Sequence, residues 1–348
     1  ADFSVQVYGE SLKQALSGLV DRTVPAQSFA MEIAAEGALT SPVLRRLDLK
    51  VGDSSLQAKG RIAPVPPHKG TDVTFELSVP SLVAWVPELV EESWAARPYV
   101  AGGRVRKQGD RIRLEQASIK GAATEWQFDG EINDRFDLAS ASLRASTKGD
   151  DGGQYLPDFT GFEPAKAPFE LALDLSASPE HVQIRDLKLL WADSELQGRG
   201  QWALSDTASG SAIELELNSS RLSSLGELDA LTLPDAPLRL TAKVVPGAGE
   251  GFKVPNLAMD VLDGKITGQV SYGATPKPSI SADLVATGLD FRPLIRESES
   301  SVDTAAAPST VSSGRVIPDQ RISVDVLRRF DAQLRFSGSG LHYPDPGF

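Results

Sequence analysis

One strand pattern occurs four times along the chain at nearly constant spacing. It reads S-S-L-Q-A-K-G-R-I at 54–62, T-E-W-Q-F-D-G-E-I at 124–132, S-E-L-Q-G-R-G-Q-W at 194–202 and L-D-G-K-I-T-G-Q-V at 262–270. Aligned on Gly60, Gly130, Gly200 and Gly268, the copies lie 70, 70 and 68 residues apart. Within each copy polar and apolar positions alternate. Ser55, Gln57, Lys59 and Arg61 fall on one side, and Leu56, Ala58, Gly60 and Ile62 on the other. Alternation of period two is the mark of a half-buried β-strand. A fixed long period predicts a stacked array and not one globular domain.

The rest of each period reads as further strands. An opening strand is predicted at Phe29, Met31, Ile33, at Phe169, Leu171, Leu173, Leu175 and at Leu238, Leu240, Ala242, Val244. Its second copy, from Tyr99 to Val105, is weaker because Gly102 and Gly103 interrupt it. A second strand follows at Leu47, Leu49, Val51, at Ala117, Ile119, Gly121, at Leu187, Leu189, Trp191 and at Leu257, Met259, Val261. Turns at Gly52-Asp53, Gly121-Ala122, Ala192-Asp193 and Asp263-Gly264 suit tight hairpins into the glycine-bearing strand. A fourth strand is predicted at Phe75, Leu77, Val79, weakly at 138–143, at Ile213, Leu215, Leu217 and at Ile280, Ala282, Leu284. Short helical stretches at Trp85–Leu89, Tyr155–Phe159, Leu225–Leu228 and Phe291–Ile295 close the units. They are too short to be stable alone and are expected to plug one edge of the sheet.

The predicted organisation is therefore a partial repeat or helical start over 1–28, repeats over 29–98, 99–167, 168–236 and 237–295, a disordered linker over 296–314, and the start of a fifth repeat over 315–348. In the first segment Leu12, Ala15, Leu16 and Leu19 keep helical spacing. The linker is polar and aperiodic, with too little apolar area to order itself. The fold class this implies is all-β: an elongated, curved antiparallel sheet of about 70-residue repeats with short helical segments between repeats, its apolar side either forming an apolar trough or packing on itself.

Composition excludes more than it identifies. The chain has no Cys, so it has neither a disulfide framework nor a thiolate metal site. A net charge of −12 argues against nucleic acid as a partner. No apolar run approaches the roughly 18 residues that span a bilayer as a helix. A start at Ala1, without Met, is expected of a processed or excised piece. His68, His181 and His342 are far apart and no pair has metal-ligand spacing. No nucleophile elbow, phosphate loop or zinc-protease motif is present, and most carboxylates sit on polar strand sides. The reading is of a chain with no catalytic residues, no metal and no cofactor.

What needs explaining is the apolar side of the strands. One solution packs it against a second apolar face, as in a sandwich. The other curls the sheet into an open trough, covered by something the chain does not encode. Glycine at one position in every copy favours a bend or bulge there. The residues expected to line such a trough are Leu47, Leu49, Leu56, Leu77, Leu171, Leu173, Leu187, Leu189, Leu196, Leu215, Leu217, Leu257, Met259 and Ile266. Strand register decides which of them share a face.

D-L-x-L … D-S-x-L-x-G-x-G at 186–200 resembles the repeats of AsmA-like proteins. So do N-L-A-M-D-V-L-D-G-K-I-T-G-Q-V-S-Y from 256, P-S-I-S-A-D-L-V-A-T-G-L-D-F-R-P-L-I up to 295, and V-I-P-D-Q-R-I-S-V-D-V-L-R-R-F-D-A-Q-L-R-F at 316–336. The resemblance spans most of 29–343. It implies a periplasmic protein of Gram-negative bacteria, similar to the repeating β-groove, bridge-like lipid-transfer proteins. Such a protein carries phospholipid along a hydrophobic groove between inner and outer membrane. Its membrane contacts, including an inner-membrane anchor helix, would be made by segments outside this chain. Envelope proteins would be its protein partners. The different-class alternative is a non-enzymatic envelope assembly scaffold with a self-packed β core.

Overall fold

The computed structural model describes residues 2–15, 25–38, 42–63, 70–85, 96–121, 124–133, 140–152, 162–204, 210–228, 233–247, 251–274, 278–292 and 331–342. The predicted linker over 296–314 lies outside them. So do the stretches predicted as helical at 86–89, 155–159 and 293–295, and the part of the fifth repeat before Asp331.

The described chain is almost entirely strand. It opens with β1 (Asp2–Gly9) and a single helical turn at Leu12–Ala15. The span 29–98 then supplies β2 (Phe29–Glu36), β3 (Val43–Val51), β4 (Ser54–Arg61) and β5 (Asp72–Val79), with a 3-10 turn at Leu82–Ala84. The span 99–167 supplies β6 (Tyr99–Gln108), β7 (Arg111–Lys120), β8 (Thr124–Asn133), β9 (Ser142–Gly149) and the short β10 (Phe162–Pro164). From 168 come β11 (Phe169–Ala177), β12 (His181–Trp191), β13 (Ser194–Ala203), β14 (Ala212–Ser219), a 3-10 turn at Leu222–Leu225 and the short β15 (Gly226–Leu228). The last repeat span holds β16 (Leu238–Pro246), β17 (Phe252–Val261), β18 (Gly264–Gly273) and β19 (Ser279–Thr287), and β20 (Asp331–Ser339) follows. Each span thus begins with four long strands, the third bearing the aligned glycine.

Two compact units are distinguished, one of residues 1–151, 168–188 and 203–208, the other of 152–167, 189–202 and 209–348. In the first, β1 to β9 pair in chain order, each antiparallel to the next, and β9 pairs antiparallel with β11. In the second, β13, β14, β16, β17, β18 and β19 form the same kind of meander. The fold class is all-β and antiparallel, as the alternation predicts.

The structure departs from the sequence reading in four places. β20 joins β19 in parallel, Ser279 opposite Asp331 and Thr287 opposite Ser339. A parallel neighbour needs a long crossover, and 43 residues separate the two strands. The fourth strand of the second repeat runs over Ser142–Gly149 and so overlaps the predicted 138–143 only at its start, because its inward residues Ala145 and Thr147 are small and carry little apolar signal. Leu225–Leu228, read as helical, is the end of a 3-10 turn followed by β15, which pairs antiparallel with β10. The last hairpin turns on Leu262 and Asp263, both with positive φ (50° and 57°), so Gly264 is already in β18.

Most of the large, tightly buried residues lie at or near strand ends, while the small Ala117, Ala145 and Thr147 are buried within their strands and Ala35, Leu44 and Val254 lie towards the opposite ends of theirs. In the first unit Val51 and Val79 end β3 and β5, and Phe169 begins β11. In the second, Leu238, Val261, Ala286 and Leu289 form a closed cluster at the ends of β16, β17 and β19. Leu12, the 3-10 turn at Leu222–Leu225 and Phe291 belong to the connections, and they supply the covering apolar atoms there. Buried serines at these ends have partners: Trp85 Nε1 donates to Ser54 Oγ at 3.1 Å, and Ser194 Oγ and Ser219 Oγ lie 2.8 Å apart.

Candidate functional site

Register assembles the apolar sides into continuous rows. In the first unit one row runs Val7, Met31, Leu49, Leu56, Leu77, Ala101, Ile119, Trp126, Thr147, Leu171 across β1–β9 and β11. The next row includes Val5, Ile33, Leu47, Ala58 and Phe75, and continues through Ala117, Phe128 and Ala145 to Leu173. In the second unit one row runs Leu196, Leu217, Leu240, Met259, Ile266, Ala286, and its neighbour Gly198, Leu215, Ala242, Leu257, Gly268, Leu284, Phe336. Twelve of the fourteen predicted lining residues fall into these rows. Leu187 and Leu189 lie on β12.

All fourteen predicted residues are half-buried: none is sealed in a core and none is fully exposed. Leu217, Met259 and Ile266 pack against the closed cluster at the strand ends, while Leu215 and Leu257 lie one row further from it. A β-sandwich interior would seal such leucines between two apolar layers. Among the described residues of each unit, strands make their substantial contacts with ladder neighbours, and no second sheet lies face to face on the rows. Met31, Ile33, Phe75, Trp126, Phe128, Leu240 and Leu284 share the same rows and the same half-burial, and Ile213 is half-buried in the row beyond Leu215. The alternation that marks Leu215 marks these equally. Trp126 and Phe128 stack with ring centroids 5.9 Å apart, which widens the aromatic part of the face.

The aligned glycines bend this face. Each lies beside a bulge in the preceding strand where that pairing is described: Arg45-Arg46 opposite Lys59, Glu115-Gln116 opposite Asp129, and Pro255-Asn256 opposite Gln269. An extra residue on one strand increases twist and curvature. Gly60, Gly200 and Gly268 have φ of 136°, 154° and 159°. A Cβ there would stand 2.1 Å from a carbonyl oxygen of the next strand: Asp72, Ala212 and Asp283 respectively. Gly130 is less constrained, its nearest contact being 2.8 Å.

The opposite face is polar and cross-linked by ion pairs. Arg199 lies 3.3 Å from Glu214, Arg239 2.8 Å from Glu216, and Arg144 and Arg185 both reach Asp174 at 3.2 and 3.3 Å. Hydrogen bonds from Asn218 and then Arg239 hold the Glu216 carboxyl below its usual range. These pairs are solvent-exposed, and each contributes little to stability. Their effect is to make one face of the sheet wet and the other dry.

No group of His, Asp and Glu among the described residues has the arrangement of a metal site. No described helix is long and apolar enough to cross a membrane. No family model, no curated protein and no solved structure matches the chain.

Proposed function

We propose that this chain binds lipid acyl chains along its apolar rows and passes phospholipid along them without chemistry. One observation carries the reading: within each unit most large apolar side chains of the rows are half-buried, with no second layer over them among that unit's described residues. Acyl chains are suited to cover such rows, at about 0.8 kcal/mol per CH₂ removed from water. Neighbouring sites of similar composition let a lipid move sideways without a deep trap. The resemblance to AsmA-like repeats supports a periplasmic setting, with phospholipid moving between inner and outer membrane and envelope proteins at the ends. Any directionality then comes from those partners, and attachment to the inner membrane from segments outside this chain.

The test uses neighbours on one strand. Leu215 faces the apolar rows between Gly198 and Ala242, whereas Glu214 sits opposite Arg199 and Lys243 on the polar face. A photo-crosslinking residue at 215 is expected to capture phospholipid in cells, and one at 214 is not. Absence of lipid adducts at 215, 257 and 49 alike would refute the reading and leave the scaffold role in its place.

A further inference from the structure

One patch on the polar face of the first unit, across β4–β7, carries an excess of positive charge that the lipid reading does not use. Register places Arg61, Asp72, Arg106 and Arg113 in one row across β4–β7, and Lys59, Thr74, Arg104 and Glu115 in the next. Five of these eight positions are cationic and two acidic, in a chain whose net charge is −12. Two carboxylates serve three guanidinium groups. Arg104 donates two bonds of 2.6 Å to Asp72. Arg106 lies 3.5 Å from Asp72 and 3.4 Å from Glu115, and Arg113 lies 3.4 Å from Glu115. Lys59 and Arg61 have no side-chain hydrogen bond or ion pair among the described residues. The Arg104 hydrogen bond, helped by the charges of Arg104, Arg106 and Arg61, holds the Asp72 carboxyl below its usual range.

Lys59, Arg61, Asp72, Thr74, Arg104 and Arg106 line a hollow of about 1090 Å³, together with Arg45 and Lys107. The hollow exists because its floor has no side chain. Gly102 occupies the outward position between Glu76 and Ser118 in the adjoining row. A Cβ at Gly102 would meet only the Phe75 carbonyl oxygen, at an ordinary 3.4 Å, and its φ is not left-handed. Backbone geometry therefore does not demand glycine at this position. An open floor, a rim of arginine forks and an unbalanced charge make a site that recruits anions.

We propose that this hollow binds a phosphate-bearing anion with two or more negative charges, supplied either by a lipid headgroup or by a soluble phosphorylated molecule. One carboxylate would leave both the volume and the charge unmatched. A multiply charged phosphate accepts from several guanidinium groups at once and neutralises the excess. The site is on the opposite face from the apolar rows and stands independently of the lipid reading.

Isothermal titration of the full chain with inorganic tripolyphosphate tests this. Saturable binding is expected, weakening as salt is raised. The double variant Lys59→Glu/Arg61→Glu should lose about tenfold or more in affinity, the equivalent of roughly one charge-assisted contact. Gly102→Glu, which fills the floor with a carboxylate and touches no ion pair, should do the same. Lys243→Glu, on the polar face of the other unit, should leave affinity unchanged. Thermal melts establish that each variant is folded. Flotation with phosphatidylcholine vesicles doped with phosphatidylglycerol separates the sources. Vesicle binding lost in the same variants assigns a lipid headgroup; tripolyphosphate binding without vesicle binding assigns a soluble ligand. No tripolyphosphate binding, or equal affinity in wild type, Lys59→Glu/Arg61→Glu and Gly102→Glu, overturns the proposal.

Discussion

An aspartate placed on the open rows should be tolerated where one placed in the closed cluster is not. Leu215 is half-buried, with Gly198 and Ala242 as its cross-strand neighbours. Full burial of a leucine is worth about 1.5–3 kcal/mol, so Leu215→Asp forfeits roughly half of that, and strand preference costs about 1 kcal/mol more. The new carboxylate remains hydrated from the open side. Leu238 is 6% exposed, and its cluster partners Val261, Ala286 and Leu289 are buried with it. Leu238→Asp loses nearly the whole transfer free energy and also buries a charge with no cation in the cluster, a further several kcal/mol. The expected costs are about 2 kcal/mol for Leu215→Asp and roughly 5 or more for Leu238→Asp, the latter comparable to the total stability of a domain. Urea unfolding monitored by circular dichroism measures both. The Leu238→Asp penalty should also ease on acidification. A buried carboxyl has its pKa raised in the folded state, so the folded state binds more protons and stability falls as pH rises through that range. Equal destabilisation by the two substitutions would mean that the rows are covered, and the open-face account would fail.

Further outcomes follow from the glycines and from the acids. Gly60→Ala, Gly200→Ala and Gly268→Ala should each cost roughly 2–5 kcal/mol, combining strained φ with a carbonyl contact that must open. Gly130→Ala, free of the positive φ, should cost less than any of them; equal melting temperatures across the four would contradict the bulge-and-glycine geometry. Asp290 accepts from the Arg292 side chain and backbone, which lowers its carboxyl to about 2. Its stabilisation is present above the unfolded carboxyl value and is lost as pH falls toward about 2. A carbon-13 carboxyl titration should place the midpoint there, and a midpoint at the ordinary value would show the pair to be absent in solution.

Alternation made most strands legible because a one-sided sheet leaves a strong period-two trace, as at Leu215–Leu217 against Glu214–Glu216. Register was not legible. A bulge adds one residue, and a shift of one residue reverses the face of everything beyond it. Nothing in Arg45-Arg46 or Glu115-Gln116 marks them as bulged before the pairing is known. β9 was misplaced because Ala145 and Thr147 face inward with little hydrophobicity. β15 was read as helical because three residues are too few to show a period. The direction of β20 depends on where residues 288–330 lead the chain and not on its own composition. The cationic hollow was hidden for a similar reason. Lys59 and Arg61 look like any polar strand side, as do Arg104 and Arg106, and only pairing across β5 sets them side by side. Gly102, read as a weakness in its strand, is the residue that leaves the hollow open.

The number of strands per repeat has a mechanical consequence. Four antiparallel strands return the chain to the end from which it set out, so every repeat is entered and left on the same side. An odd number would alternate the connections between the two sides. With four, the connecting pieces collect at one end of the strands in each unit: Leu12 and the Leu82–Ala84 turn in the first, the Leu222–Leu225 turn and Leu289 in the second. That end acquires the closed core. Within each unit the connections leave the middle rows without such cover, and the bulges beside Gly60, Gly130 and Gly268 add local twist and curvature there. A dry lane running beside a sealed margin suits the proposed lipid role, since acyl chains need the lane and headgroups need water. Stability and exposure are thereby assigned to different rows of the same strands. This is why a charge at Leu215 should stop lipid without unfolding the protein, and a charge at Leu238 should unfold it.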